Sequence, residues 1–582
     1  MLHDAETERR NLLRTLAEWR LFAGMDAAAL SALADELRAI CVTGGSMLFE
    51  QGDEADSLYL LLHGRMAAVR RDDDGRRRTL GTVSPGECVG ETGLISGETN
   101  AVRFARVVAL RDCELMRLSK EGFERLVASY PHAMLGMARL ALRRFYGVRG
   151  RPELAHCVAI LPGMSGVDVA GFARRFAAAF PDRDDVQLID AETAAGKPSA
   201  WFSERESKSR NLIFIGNDSP EWRDRCVRQS DAVLLLVDVA RQPAQCALVP
   251  APNSVPDLPQ HLVMLQHGEP RAGSNRAWRS AFPHAIAHHH IRHDADISRL
   301  LRRLTGRARG LVLSGGGARG FAHLGVICAL REAGLVFDFV GGSSIGAIVG
   351  AGFAADWSDE QMLETYREHF VNSDPLGDWT LPLVSLRSGS RVSRRLRAAF
   401  GDRDIEDLPI PFFCVSSNLT AGALEVHERG PLWCWLRASS SIPGVLPPVF
   451  SAGRVLVDGG VIDNLPVGEM RSRLAGEIVA VDVGGSYRLE TTMEETELPP
   501  WWKLIGELFG VRRRPGLKQI LLRAGMVNSE ATSQRRRKQT RLLIKPTLDG
   551  IELLDWRSYD RAVELGYEHA RKQLNASGDL SF

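Results

Sequence analysis

The spacing of apolar positions changes character along the chain. From about residue 20 it is helical, with Leu30, Leu33, Ala34 and Leu37 on one face. It then shortens to alternating runs broken by glycines, and Met47 to Asp53 and Leu58 to Met66 read as successive strands of an antiparallel roll before helix returns at Glu121. Between about 150 and 305 the runs become continuous: 158–161, 186–189, 212–215, 232–237 and 262–265 are apolar or nearly so, separated by helix-length segments. A strand covered on both faces has no polar side to show, so these runs predict a parallel sheet. A further α/β region opens with Leu311-Val312-Leu313, a glycine loop and a helical stretch from Phe321 to about Ala333. The apolar run Val336 to Val340 and an Ala/Gly-rich helix follow. The pattern predicts an α/β multidomain chain: an N-terminal antiparallel β-roll over 20–145, an α/β connecting domain over 150–305, a second α/β domain over 309–475, and a largely helical C-terminal extension over 476–582.

A chain of 582 residues with 45% hydrophobic content can give each of these regions a core. Lys and Arg number 73 against 72 Asp and Glu, and a net charge of +1 excludes a general nucleic-acid binder, whose footprint is strongly basic. Nine cysteines, an odd number without CxxC spacing, suit free buried thiols in a reducing compartment. The start, Met1-Leu2-His3-Asp4-Ala5-Glu6, has no basic, apolar signal-peptide pattern, and no stretch of about 18 apolar residues would span a bilayer. A soluble cytoplasmic chain is expected, with peripheral contact at the inner face of a membrane left open. Trp501, Leu504, Ile505, Leu508 and Phe509 share one helical face ahead of Arg512-Arg513-Arg514, a stripe that either packs on the protein or lies on an anionic surface. The run Arg535 to Lys538 reads as a solvated face.

The candidate chemistry lies in the third region. Gly342-Ser343-Ser344-Ile345-Gly346 is GxSxG between a strand and a helix, and only Ser344 has glycine at both minus two and plus two. A sharp strand-to-helix turn leaves no room for Cβ atoms and lifts the hydroxyl clear of the backbone, which makes Ser344 the candidate nucleophile; the alternative is a glycine-eased turn. Upstream, Ser314-Gly315-Gly316-Gly317-Ala318-Arg319-Gly320 presents unobstructed amides at a helix N-terminus, as an oxyanion hole requires. Gly315, Gly317 and Gly320 also spell GxGxxG, but the acid that a dinucleotide site needs would be Asp338, inside a strand that ends in the serine turn. Asp458, opening Asp458-Gly459-Gly460 after Arg454 to Val457, is the candidate base, against a plain Asp-Gly turn. His569 follows Asp458 but reads as an exposed helix residue, and His323 as a packed one.

Gly-Gly-Gly-Ala-Arg-Gly, Gly-Ser-Ser-Ile-Gly and Asp-Gly-Gly, in this order, resemble the patatin-like phospholipase family. His288-His289-His290 with Leu304-Thr305-Gly306-Arg307, and Asp458 to Pro466, resemble its neuropathy target esterase branch, which is similar to lysophospholipases with cyclic-nucleotide-binding-like domains upstream. The resemblance implies a patatin-like α/β hydrolase domain with a Ser344/Asp458 dyad and no histidine. It also implies Gly315, Gly316 and Gly317 as oxyanion donors, with Gly320, Gly342, Gly346, Gly459 and Gly460 as motif glycines. Arg319 falls where the family carries a basic residue that organises the loop or meets a phosphate head group. Hydrolysis of phospholipid or lysophospholipid esters is the expected activity, without metal or cofactor; the alternative is a ligand-sensing or scaffold protein with an inactive hydrolase domain. Homo-oligomer formation is open.

The roll resembles a cyclic-nucleotide-binding domain through Gly90-Glu91-Thr92-Gly93-Leu94-Ile95, with Glu91 at the ribose position and Arg103 at the phosphate position. Val102 stands where Pro is usual, and Phe104 replaces a hydroxyl residue that would donate to the phosphate. A cyclic nucleotide as effector, held by Gly90, Glu91 and Arg103, is therefore left open, with a packing or dimer-contact role the stronger expectation. No GxxxxGK[ST] occurs in the connecting domain, because Gly163-Met164-Ser165-Gly166 lacks the lysine and Gly196-Lys197 runs into Pro198. The three adjacent histidines cannot all face one ion, so they read as linker or packing residues.

Overall fold

A computed structural model describes residues 2–19, 22, 25–71, 77–95, 101–130, 156–182, 184–250, 258–268, 272–374, 376–484 and 539–576. The stripe at 501–514 and the basic run at 535–538 lie outside the described residues. The chain forms two compact units, Met1–Leu265 with Ala281–Ser298, and Gln266–Ser280 with Arg299–Phe582.

The first unit opens with α1 (Leu2–Glu18) and α2 (Ala27–Glu36); Asp26 caps α2 by accepting the Ala29 amide at 2.8 Å. The roll comprises β1 (Arg38–Val42), β2 (Met47–Phe49), β3 (Ser57–His63), β4 (Met66–Arg71), β5 (Arg77–Val83), β6 (Cys88–Val89), β7 (Arg106–Ala109) and β8 (Cys113–Ser119). They pair antiparallel as two sheets, β1-β8-β3-β6 and β2-β7-β4-β5. The stretch Leu58 to Met66, expected as one strand, is broken after His63, because Gly64 takes φ +95° and turns the chain from one sheet into the other. Short α3 (Glu91–Ile95) and α4 (Lys120–Ser129) complete this part.

The connecting strands are β9 (Cys157–Pro162), β10 (Val186–Ile189), β11 (Asn211–Ile215), β12 (Ala232–Asp238), β13 (Gln260–Leu265) and β14 (Ala287–Ile291). They form a fully parallel sheet in the order β10-β11-β9-β12-β13-β14. Helices α5 (Val169–Ala178), α6 (Ser199–Lys208) and α7 (Pro220–Arg228) connect the first four of these strands. Residues 157–162 and 232–237 are buried throughout, which is why they carry no alternation. Roll and sheet are joined by buried Arg111, which donates to the Ser230 carbonyl at 2.8 Å and pairs with Asp231. Arg228 reaches Asp112 at 2.9 Å beside it.

The second unit is built on β15 (Ala308–Leu313), β16 (Phe339–Ser343), β17 (Phe412–Asn418), β18 (Ala423–His427), β19 (Val449–Ser451), β20 (Arg454–Asp458), β21 (Gly476–Val481) and β22 (Leu542–Ile544). The order is β19-β20-β17-β16-β15-β21-β22, with β18 also on β17. Strands β17, β16, β15, β21 and β22 are parallel, while β18 and β20 run antiparallel to β17 and β19 antiparallel to β20. The core on its helical faces is drawn from α8 (Ala322–Glu332), α9 (Ile345–Ala354), α10 (Ser390–Phe400), α11 (Leu432–Ser439) and α12 (Tyr559–Ala576).

Two expectations are corrected here. A boundary at 475 does not separate an extension from the hydrolase core, because β21 and β22 belong to the central sheet and α12 contributes Tyr559, Ala562, Ala570 and Leu574 to the core. Asp338 does not lie in a strand: β16 starts one residue later and runs on to Ser343, while Asp338 is buried and takes the guanidinium of Arg302 and the amide of Arg309. The nine cysteines are all free as expected, but Cys41 is exposed and Cys246, Cys328 and Cys434 are only partly buried.

Candidate active site

Strand register sets the geometry. Leu313, last in β15, pairs with Gly342 of β16; Ser343 pairs with Val415 of β17; and the next residue, Ser416, pairs with Asp458 of β20. The glycine loop after β15, the serine turn after β16 and the carboxylate ending β20 therefore meet at one edge of the sheet. At that edge Ser344 Oγ donates to Asp458 Oδ2 at 2.6 Å.

Ser344 adopts φ +53° and ψ −127°, the strained elbow that GxSxG predicts and a conformation costing a non-glycine residue about 1–3 kcal/mol. Its amide donates to Ser439 Oγ at 2.9 Å. Gly342 and Gly346 face each other across the turn, Gly346 lies against the carbonyls of Leu313 and Ser314, and Gly320 lies against Ile345. Each contact occupies the place where a Cβ would stand.

Asp458 is 2% exposed and uses both oxygens, Oδ2 on Ser344 and Oδ1 on the Gly460 amide at 2.8 Å. Burial disfavours its charged form and pushes its pKa up to about 6, partly offset by those two bonds. Gly459 packs against the Val415 carbonyl. Among the described residues, no histidine hydrogen-bonds Asp458. His323 Nε2 instead bonds the Ser314 carbonyl at 2.8 Å, and His427 Nε2 bonds Ser416 Oγ at 2.7 Å while stacking on Trp435. Burial brings both imidazoles down to about 4 and holds them neutral. His569, expected on an exposed face, is half-buried on α12, where burial again lowers its pKa.

The glycine loop needs one correction. The Gly315 amide already donates to the Asn464 carbonyl at 3.3 Å, and its carbonyl accepts Asn464 Nδ2 at 3.1 Å, so Gly315 is clamped and not offered as a donor. It still borders the site: a Cβ there would stand 3.0 Å from Ser344 Cβ. The Ala318 amide is taken by the Leu553 carbonyl at 2.8 Å, which leaves Gly316 and Gly317 as the loop's amides without a bond among the described residues. Arg319 Nε donates to the Ile551 carbonyl at 2.7 Å, which organises the loop and fastens it to residues 551–553. Asn464, Ser439 and that later segment were not singled out from sequence. Asn464 lies in the quoted Asp458 to Pro466 motif and had a signal; Ser439 and Leu553 have none, because one acts through an ordinary hydroxyl and the other through a backbone carbonyl.

In the roll, Glu91 and Arg103 are both buried. Arg103 donates to the Ser57 carbonyl at 2.7 Å, pairs with Asp56 at 3.0 Å and lies over the Phe49 ring at 4.2 Å. A Cβ on Gly90, which has φ +85°, would collide with that guanidinium. Phe104 packs under Arg70 at 4.2 Å. His289 and His290 are buried in β14, and His289 Nε2 meets His261 Nδ1 at 3.0 Å. Among the described residues, no group of three or more His, Cys, Asp or Glu is placed to hold a metal ion.

A buried serine elbow bonded to a carboxylate, with a glycine loop at the same sheet edge, is the arrangement of an α/β serine hydrolase. Residues 311–471 match the patatin-like phospholipase family, 40–130 the cyclic nucleotide-binding domain, and 155–309 the neuropathy target esterase family P-loop like domain. An uncharacterized NTE family protein of Mycobacterium bovis is 32% identical over 601 residues, covering 99% of this chain and 98% of its own length. Patatin-like phospholipase domain-containing protein 7 of Mus musculus is 28% identical over 611 residues, and protein 6 of Homo sapiens 27% over 605. Each of these two alignments covers 91% of this chain and 44% of the mammalian protein, so the chain spans under half their length. The chain belongs to the NTE, or neuropathy target esterase, family, with a patatin-like phospholipase domain and a cyclic-nucleotide-binding-type roll.

Proposed function

We propose that the chain is a serine esterase that hydrolyses acyl esters of phospholipids or lysophospholipids through Ser344 and Asp458. The observation that carries this reading is the 2.6 Å bond from Ser344 Oγ to a buried carboxylate whose pKa is raised to about 6. At neutral pH Asp458 is ionised and basic enough to take the Oγ proton as the oxygen attacks the acyl carbonyl. The oxyanion of the tetrahedral adduct then meets the amides of Gly316 and Gly317. Collapse breaks the ester bond, Asp458 returns its proton to the leaving alcohol, and an acyl-serine remains. Water attacks that acyl group, giving its proton to Asp458, and the second adduct releases fatty acid while Ser344 recovers its proton. Every proton is accounted for by one carboxylate, so the two neutral histidines nearby have no step to perform.

The test is labelling by a fluorophosphonate probe together with turnover on a lysophospholipid. Ser344→Ala and Asp458→Asn are each expected to lose turnover by roughly 10⁴-fold or more, with the double variant no worse, because members of one unit are not additive. Labelling or turnover that survives in Ser344→Ala would move the nucleophile elsewhere.

A further inference from the structure

The loop before α10 carries a dense exposed apolar cluster. Trp379 is 70% exposed, Leu381 72%, Leu383 84% and Val384 62%, so four large apolar side chains crowd six residues. Single exposed leucines are ordinary on a protein surface, whereas such a cluster marks a contact site. Its base is fixed: Arg387 lies 3.2 Å over the Trp379 ring, Asp378 accepts Ser388 Oγ at 2.6 Å and the Arg391 amide at 3.1 Å, and the amides of Leu386 and Arg387 donate to the carbonyls of Gly444 and Val445 at 3.0 and 3.1 Å. The tip projects from a clamped root.

Two features state what the tip would meet. Residues 376–400 hold five arginines against one aspartate, a local charge of +4 on a chain whose total is +1. An apolar tip with a tryptophan, backed by cations, has the chemistry of a segment that enters the headgroup region of an anionic bilayer. The root also belongs to the catalytic scaffold. Gly444 and Val445 follow α11, whose last residue Ser439 receives the Ser344 amide at 2.9 Å, and the Ser441 carbonyl receives the Asp458 amide at 2.9 Å.

We infer that the loop 379–384 is a lipid-surface anchor, inserting Trp379, Leu381 and Leu383 into an anionic bilayer so that the site draws its substrate directly from the membrane. The inference rests on the lipid-esterase reading for its purpose, but its test does not. The 582-residue chain is sedimented with vesicles of phosphatidylcholine containing about one-third phosphatidylglycerol. Wild type is expected to bind, and Leu381→Ser/Leu383→Ser to bind about tenfold more weakly or worse with an unchanged Tm, since neither side chain packs in the core. Arg394→Glu/Arg395→Glu should weaken binding to these vesicles and leave binding to pure phosphatidylcholine unchanged. Ser344→Ala should bind as wild type does, so loss of the esterase reading and loss of the anchor are told apart. Equal binding by the double leucine variant, or no binding by wild type, overturns the anchor. So does a concentration-dependent dimer that the leucine variant abolishes, which would give the face to a second copy of the chain.

Discussion

At the scale of single residues, Asp458 sets function against stability. A carboxylate pushed from its ordinary 3.8 up to about 6 is held ionised at neutral pH against its environment. Its contribution to stability is complete below about pH 4 and is lost as the pH rises through about 6; at about 1.4 kcal/mol per pKa unit the penalty above that is on the order of 3 kcal/mol. Asp458→Asn is therefore expected to raise Tm at pH 8 while abolishing turnover, with the gain vanishing near pH 4. Calorimetry at the two pH values checks this, and kcat/KM of wild type should rise through about pH 6 as Asp458 ionises. His323 and His427 act in the opposite sense. Both are lowered to about 4, so the stability they contribute is present above about 6.5 and lost as the pH falls through 4. Neither bonds Asp458, and His323→Gln, His427→Gln or His569→Gln should each keep turnover within about tenfold, since no proton transfer is removed. A loss at any of them as large as that of Ser344→Ala would replace the dyad with a triad.

At the scale of elements, the glycine loop is held from a segment more than two hundred residues away. Leu553 takes the Ala318 amide, Ile551 takes the Arg319 guanidinium, and α12 then packs on α8 through two close approaches, Gly325 on the Val563 carbonyl and Gly566 on the Ala322 carbonyl. Preorganised donors lose value when their loop loosens, so Arg319→Ala is expected to lower kcat by about tenfold or more with KM little changed. Steady-state kinetics on a lysophospholipid separates this from a role in gripping a phosphate head group, which would appear in KM. The sequence made the loop itself legible, because glycine spacing reports local steric need. It did not reveal the brace. The strand β22 is three residues long, too short for any period, and backbone carbonyls leave no mark on residue identity. The same limit explains β14: Val158 to Leu161 reads as a buried strand because it is apolar, whereas Ala287–Ile291 is equally a strand but carries three histidines, two of them buried.

At the scale of the whole molecule, what the roll contributes turns on Arg103. Its resemblance to a cyclic-nucleotide-binding domain was legible in Gly90 and Glu91, but occupancy of the phosphate position depends on contacts no motif reports. Arg103 is 3% exposed, and its guanidinium already has Asp56, the Ser57 carbonyl and the Phe49 ring as partners. A cyclic phosphate arriving there must share or displace Asp56, a carboxylate of its own sign, and finds Phe104 where a hydroxyl donor would stand. Calorimetry is therefore expected to show no binding of cyclic AMP or cyclic GMP at micromolar concentration. If an isotherm does appear, Arg103 must be the charge that neutralises the phosphate, and Arg103→Ala should weaken it by about 2–5 kcal/mol, the usual cost of stripping one partner from a buried charge pair. Binding in that case would reach beyond the roll, because Arg111 and Arg228 tie it to the parallel sheet through Asp231 and Asp112. Control of Ser344 would then require the nucleotide to favour one of two states of the chain, and turnover measured with and without saturating nucleotide would read that preference directly.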